Sequence, residues 1–108
     1  MAKVGRGEIW QFGFPHPDKR RPVLVLTRQQ IIGHLETVTV APITTRVRGI
    51  PTEILVGPEC GLKVRSAINF DHLATVPKSG LRHFVGTVSP AVLDEARAAL
   101  LFALGFDT

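Results

Sequence analysis

The sequence predicts a mainly β domain completed by one C-terminal α-helix. Apolar and β-branched residues come in short bursts cut by Pro, Gly and charge, the punctuation of an antiparallel barrel or sandwich. The final stretch departs from that pattern, running rich in Ala and Leu from Ser89-Pro90 to Gly105. At 108 residues, one domain spanning residues 1–108 is long enough to bury a core without disulfides or a structural metal.

Taken in order, strands are expected near residues 8–14, 22–28, 37–41, 52–56, 66–70 and 84–88. The run "VLVL" at 23–26 is continuously apolar and should be a central strand covered on both sides. "TVTV" at 37–40 alternates hydroxyl and aliphatic side chains, as a strand with one solvated face does. Between the first two strands, "FPHPDKRRP" at 14–22 carries Pro15, Pro17 and Pro22. Each proline fixes φ and removes a backbone donor, so the segment reads as a stiff loop outside the sheet. A second loop, "TTRVRGIP" at 44–51, holds Gly49 and Pro51. In the helix, Ser89 is the N-cap, Pro90 the first helical position and Gly105 the C-cap. Val92, Leu93, Ala96, Leu100 and Leu101 cover much of its circumference, so it packs on the sheet and offers surface to a second subunit. Trp10 is read as core, because large strand aromatics mostly bury.

Thirteen Lys and Arg against nine Asp and Glu give a formal charge of +4 and a pI near 10.0, which favours an anionic partner such as nucleic acid or an acidic protein. The cations cluster. Lys19, Arg20 and Arg21 stand directly against the apolar run, Arg46 and Arg48 occupy the second loop, and Lys63 and Arg65 follow further on. Two cationic loops beside two strands are expected to converge on one groove. Cys60 is the only cysteine, so neither an intrachain disulfide nor an all-cysteine zinc site can form. No apolar run approaches transmembrane length and the first residues lack a long apolar segment, so a cytoplasmic protein without membrane association is expected.

Several chemistries fall on spacing. His16, His34, His72 and His83 show neither the i, i+4 pairing nor the Cys-x-x-Cys partners of metal sites, so no metal is expected. No Gly-rich turn leads from a strand into a helix, which removes phosphate loops and the cofactors they carry. A Ser or Cys nucleophile paired with histidine stays open on sequence, although no Gly-x-Ser-x-Gly elbow is present to support it. What remains is a set of Arg, Thr, His and Asp. It suits chemistry on a phosphodiester whose own 2′-hydroxyl is the nucleophile, where an Arg fork neutralises charge growing on the phosphoryl oxygens.

Five blocks in order carry a resemblance. "RGEIW" at 6–10, "RPVLVLT" at 21–27, "VTVAPITT" at 38–45, "PTEI" at 51–54 and "GLKVRSAINFDHLATV" at 61–76 resemble the successive blocks of the MazF/PemK/Kid toxins. The resemblance spans roughly residues 6–90 and finds the C-terminal helix in its expected place. It implies an SH3-like barrel of the CcdB/MazF type and a homodimer. It also implies a metal-independent endoribonuclease toxin of a type II toxin-antitoxin system that needs no cofactor. Such toxins cut single-stranded RNA at short sequence motifs, leaving a 2′,3′-cyclic phosphate and a 5′-hydroxyl. Messenger RNA is the leading substrate class, with transfer or ribosomal RNA as alternatives. The implied partner is a cognate antitoxin, whose tail, commonly acidic, occupies the RNA groove.

Residue by residue, Arg21 matches the family's catalytic Arg before Pro-Val, and Thr44 matches the Thr that follows the Ala-Pro-Ile strand. The implied roles are stabilisation of the pentavalent transition state by Arg21 and a hydrogen bond from Thr44 to a phosphoryl oxygen. Asp71 falls where the Kid branch carries an aspartate; it either orients a base or Arg21, or caps the turn after its strand. His16 lies where that branch carries a loop histidine, either as a general acid or base or as an exposed histidine between two prolines. Lys19, Arg20, Thr45, Arg46, Arg48 and Arg65 read as the RNA-backbone groove.

The chain also departs from the pattern. Its first loop is shortened to "PHPDKRR" without a glutamate, Ala74 replaces an Arg, and Asn69 stands where the Kid branch has its second Arg. The general base is therefore unassigned. Two rival readings follow from the same barrel and charge: a CcdB-like poison that binds a topoisomerase without catalysis, and a silent RNA-binding module.

Overall fold

A computed structural model of the chain describes residues 3–15 and 20–107. The strands are β1 (Glu8–Gly13), β2 (Arg20–Val25), β3 (Thr37–Thr44), β4 (Glu53–Val56), β5 (Ser66–Asn69), β6 (Ala74–Pro77) and β7 (Leu81–Thr87). A one-turn helix, α1 (Gln29–Ile32), follows β2, and the long helix α2 (Pro90–Leu104) ends the chain. The sheet runs β4-β5-β3-β2-β1-β7, with β6 paired to β3, and all its ladders are antiparallel. Among the described residues this path stays open, with no ladder joining β4 to β7. The mainly β class with a C-terminal helix holds; the sheet is not closed into a full barrel.

The VLVL run is central as expected. Val23 and Val25 pack with Trp10, Val38, Val40 and Val76, while Leu24 and Leu26 join Ile9, Ile43, Ile68 and Phe70 under α2. Period-two alternation therefore feeds two clusters on opposite faces of one strand, each buried aliphatic contributing roughly 1.5–3 kcal/mol. Trp10 is core, with its indole N–H donating to Glu8 Oε1 at 3.0 Å.

Two prolines sit inside strands, and the ladders explain both. β2 begins two residues earlier than expected, so Arg20 and Arg21 are strand and not loop, and Pro22 lies inside the strand. There they pair with β1 alone, since the β3 ladder starts at Val23, and the missing N–H of Pro22 has no partner to disappoint on that edge. Likewise β3 pairs with β6 through Val40 and with β5 from Ile43, which leaves Ala41 and Pro42 paired on the β2 side only. β2 ends early because Thr27 Oγ1 accepts the Thr39 N–H at 2.7 Å, replacing a ladder bond with a side chain.

β6 and α1 are elements that local pattern does not announce. β6 is four residues ending in a proline, and only its pairing with Thr37 to Val40 makes it a strand. β7 starts three residues earlier than expected and is bulged. Ile9 pairs with Gly86, Trp10 with Phe84 and Gln11 with Arg82, so Val85 and His83 are extra residues, His83 at φ +62°. α2 matches its expected caps: Ser89 Oγ accepts the Val92 N–H, and Gly105 is left-handed at φ +79°. The helix lays Ala96 and Ala99 on the sheet, where small side chains allow close approach.

Cys60 lies in a single 3-10 turn, Pro58–Cys60, and its thiol donates to the Gly57 carbonyl at 3.2 Å. Burial pushes its pKa up. With the folded pKa above the unfolded one, the stabilisation is complete below the ordinary thiol value and is lost as the pH rises through the folded value. Alkylation by iodoacetamide at pH 8 should accordingly be much slower in the folded chain than after denaturation.

Gly86 of β7 lets the backbone of this turn approach, since a Cβ there would stand 1.9 Å from the Cys60 carbonyl oxygen. Gly86→Ala should destabilise the fold by about 2 kcal/mol or more, read as a lowered denaturation midpoint with an unchanged m-value.

Candidate active site

The register of the central ladder builds the site. Val23 pairs with Pro42, Leu24 with Ala41 and Val25 with Val40. Continuing that antiparallel register two residues past Val23 sets Arg21 opposite Thr44, and opposed residues share a face. Both indeed line one depression of about 720 Å³, together with Thr45, Arg46 and Arg48 from the loop after β3. The expected convergence of two cationic segments on one groove is thus seen for these five residues.

The loop is tied down locally. Thr44 Oγ1 accepts the Arg46 N–H at 3.1 Å, a turn-capping bond made by the same hydroxyl that lines the depression. Glu53 Oε1 accepts the Arg48 and Gly49 N–H groups at 2.9 and 3.1 Å, and Gly49 takes the left-handed turn at φ +73°. A carboxylate inside a cationic loop holds it by backbone bonds while both guanidinium-bearing side chains stay exposed.

Two buried side-chain atoms among the described residues lack a hydrogen-bond partner: Arg21 Nε and Glu53 Oε2. Both belong to side chains lining this depression. An unpaired buried donor on a guanidinium costs free energy unless something supplies an acceptor. The half-buried Arg21 guanidinium faces the same depression as the exposed Arg46 and Arg48, a cationic lining that favours an anionic ligand.

The floor continues through Asn69, directly across the β4–β5 ladder from Glu53, and His72 on the turn that follows. Asn69 Oδ1 accepts the Asp71 N–H at 2.8 Å, and Asn69 Nδ2 lies 3.2 Å from His72 Nδ1. Asp71 itself is not among the lining residues. Its Oδ2 accepts the Thr52 hydroxyl at 2.6 Å, a bond that pins the turn to the start of β4.

The remaining expected site residues are dispersed. Arg20, adjacent to Arg21 on a strand, turns to a different depression shared with Gln11, Gly80 and Arg82. Arg65 is exposed one residue ahead of β5 and does not line the site. His16 and Lys19 lie outside the described residues. Among the described residues no three His, Cys, Asp or Glu side chains stand together as metal ligands, and no helix is long and apolar enough to cross a membrane.

Residues 5–104 match the model of the PemK-like, MazF-like toxins of type II toxin-antitoxin systems. The chain belongs to this family. Endoribonuclease MazF3 of Mycobacterium tuberculosis is 48% identical over 69 residues, covering 64% of this chain and 67% of the relative. Probable endoribonuclease MazF2 of the same organism is 36% identical over 101 residues, 93% of this chain and 97% of the relative. Among solved structures, the Mycobacterium tuberculosis toxin MazF-mt6 aligns with a TM-score of 0.86 at 37% identity, over 94% of this chain and 99% of that one. A mycobacterial endoribonuclease in complex with its cognate antitoxin also aligns at 0.86, with 27% identity over 98% and 99% of the two chains.

Within this PemK/MazF-like chain, Glu53, Asn69, His72 and Phe14 are site residues that the sequence alone did not single out as a group. Only "PTEI" and the Asn69 departure hinted at two of them, because the other contributions arise from a turn and a strand end brought together in three dimensions. If Glu53 holds the loop as described, Glu53→Ala should make the Arg48 and Gly49 amides exchange about tenfold faster, measured by hydrogen exchange, with the core amides unchanged.

Proposed function

We propose that this chain is the endoribonuclease toxin of a type II toxin-antitoxin pair, cutting single-stranded RNA through the RNA's own 2′-hydroxyl. The observation that carries the reading is Arg21, half-buried beside Thr44 in a depression rimmed by Arg46 and Arg48. Family membership and relatives named as endoribonucleases support it.

In this reading the scissile phosphate sits against Arg21. The 2′-oxygen attacks phosphorus, its proton passes to a base, and the P–O5′ bond breaks as the 5′-oxygen takes up a proton. A 2′,3′-cyclic phosphate and a 5′-hydroxyl remain. The Arg21 guanidinium meets the charge that grows on the phosphoryl oxygens, where a planar, permanently charged fork is best matched. The Thr44 hydroxyl adds a neutral hydrogen bond at the same group. Arg46 and Arg48 hold flanking phosphates and supply affinity that does not depend on sequence.

The same cationic depression suits an acidic antitoxin segment, which would compete with RNA for it; a structural relative is recorded with its cognate antitoxin. A homodimer in the cytosol completes the proposal, and the exposed Phe102 and Leu104 at the end of α2 offer apolar surface for a second chain.

Purified protein incubated with a long synthetic RNA in EDTA should give discrete cuts with cyclic-phosphate 3′ ends. Arg21→Ala should slow cutting by at least about 10²-fold while the thermal melt stays close to wild type. Intact RNA from a folded wild-type protein would remove the ribonuclease reading and restore the topoisomerase poison.

A further inference from the structure

We propose that His72 reads the purine C6 or pyrimidine C4 position of a base of the bound RNA through its Nε2–H, in a tautomer set by Asn69, and that it there favours a keto base, guanine or uracil, over adenine or cytosine. The proposal rests on the RNA-cleaving reading above.

The orientation of the Asn69 amide is decided by its partners. Oxygen and nitrogen of an Asn side chain are alike in shape, and their assignment comes from partners. Here one end of Asn69 receives the Asp71 backbone N–H at 2.8 Å, which only an oxygen can do. The other end is therefore the NH2 group, and it faces His72 Nδ1 at 3.2 Å. A donor there requires a lone pair on Nδ1, so the ring proton resides on Nε2. Asn69 is 8% exposed and serves as the N-cap of the turn Phe70–His72, so its amide is not free to turn over. The Thr52 to Asp71 bond braces the same turn from the other side. His72 is exposed and lines the depression. It thus offers RNA one fixed donor and no acceptor.

A fixed donor selects an acceptor. Guanidinium groups bind phosphoryl oxygens more strongly than a single imidazole N–H, and Arg21, Arg46 and Arg48 line the same depression. Ribose and bases remain, and of these only a base contact carries sequence information. All four bases carry acceptors on their rings, so a lone donor discriminates only at the purine C6 or pyrimidine C4 position: there guanine O6 and uracil O4 accept, whereas adenine and cytosine present an amine that would leave both donors unpaired. Unpaired bases are commonly held on aromatic surfaces. Phe14 lines the same depression, steadied by an edge contact with Phe12 at 4.9 Å between ring centroids. Trp10 is buried and contributes nothing there.

The test maps 5′ ends on a random-sequence RNA pool for wild type, His72→Phe and His72→Gln, at matched extents of cutting. Wild type should show a keto preference at one position near the cut. His72→Phe keeps a flat ring without a donor and should go on cutting, with that preference reduced about tenfold. His72→Gln restores an N–H and should recover part of it. In a synthetic substrate, replacing the preferred guanine by 2-aminopurine, or the uracil by 2-pyrimidinone, removes the carbonyl oxygen. It should slow wild type about tenfold and leave His72→Phe unaffected, the signature of a direct contact. Cutting with an unchanged preference in His72→Phe, or a rate loss equal at every sequence, overturns this inference alone. No cutting by wild type overturns the ribonuclease reading as well.

Discussion

The β2–β3 ladder is the constraint on which the rest of the molecule depends. Val23, Leu24, Val25, Val40 and Ala41 are wholly buried, and the strand faces alternate between two separate clusters. A slip of one residue would exchange the two faces and carry every one of these side chains into the wrong cluster, so the register is strongly specified. Beyond the last ladder pair that same register delivers Arg21 opposite Thr44. The chemistry of the site is therefore a by-product of core packing: the apolar run sets the geometry and the polar residues at its end inherit it.

β3 extends the effect by changing partners. Its first half is bonded to β6 and its last two residues to β5, with Pro42 at the changeover where no second ladder needs an N–H. The switch sets β5 and its partner β4 along the far side of the end of β3, opposite β2. Glu53 and Asn69, cross-strand neighbours, become the floor beneath the cationic loop. Glu53 then spends one oxygen on loop amides and leaves the other without a partner, as Arg21 leaves its Nε.

The turn after β5 gives two neighbouring residues different duties. Asp71 is engaged by Thr52 and braces the chain, while His72 faces the depression with its tautomer set by Asn69. Structural hydrogen bonds thus hold a side chain of the depression at one remove, an arrangement that keeps it in one geometry at little entropic cost.

By itself the sequence determined the class of fold, the central position of VLVL, the burial of Trp10 and both ends of α2. Each follows from a local signal: an uninterrupted apolar run, a large strand aromatic, a Ser-Pro start, a terminal Gly. It also pointed, through the order of its motif blocks, to Arg21 and Thr44. Tertiary structure alone decided which cations share the site, sending Arg20 away from Arg21 because adjacent strand residues diverge. It alone made a strand of Ala74–Pro77 and placed Pro22 and Pro42 inside strands, since whether a proline is tolerated depends on which edge is paired. And it alone assembled Glu53, Asn69 and His72, because a contact across a ladder depends on register, which composition and spacing along one strand do not contain.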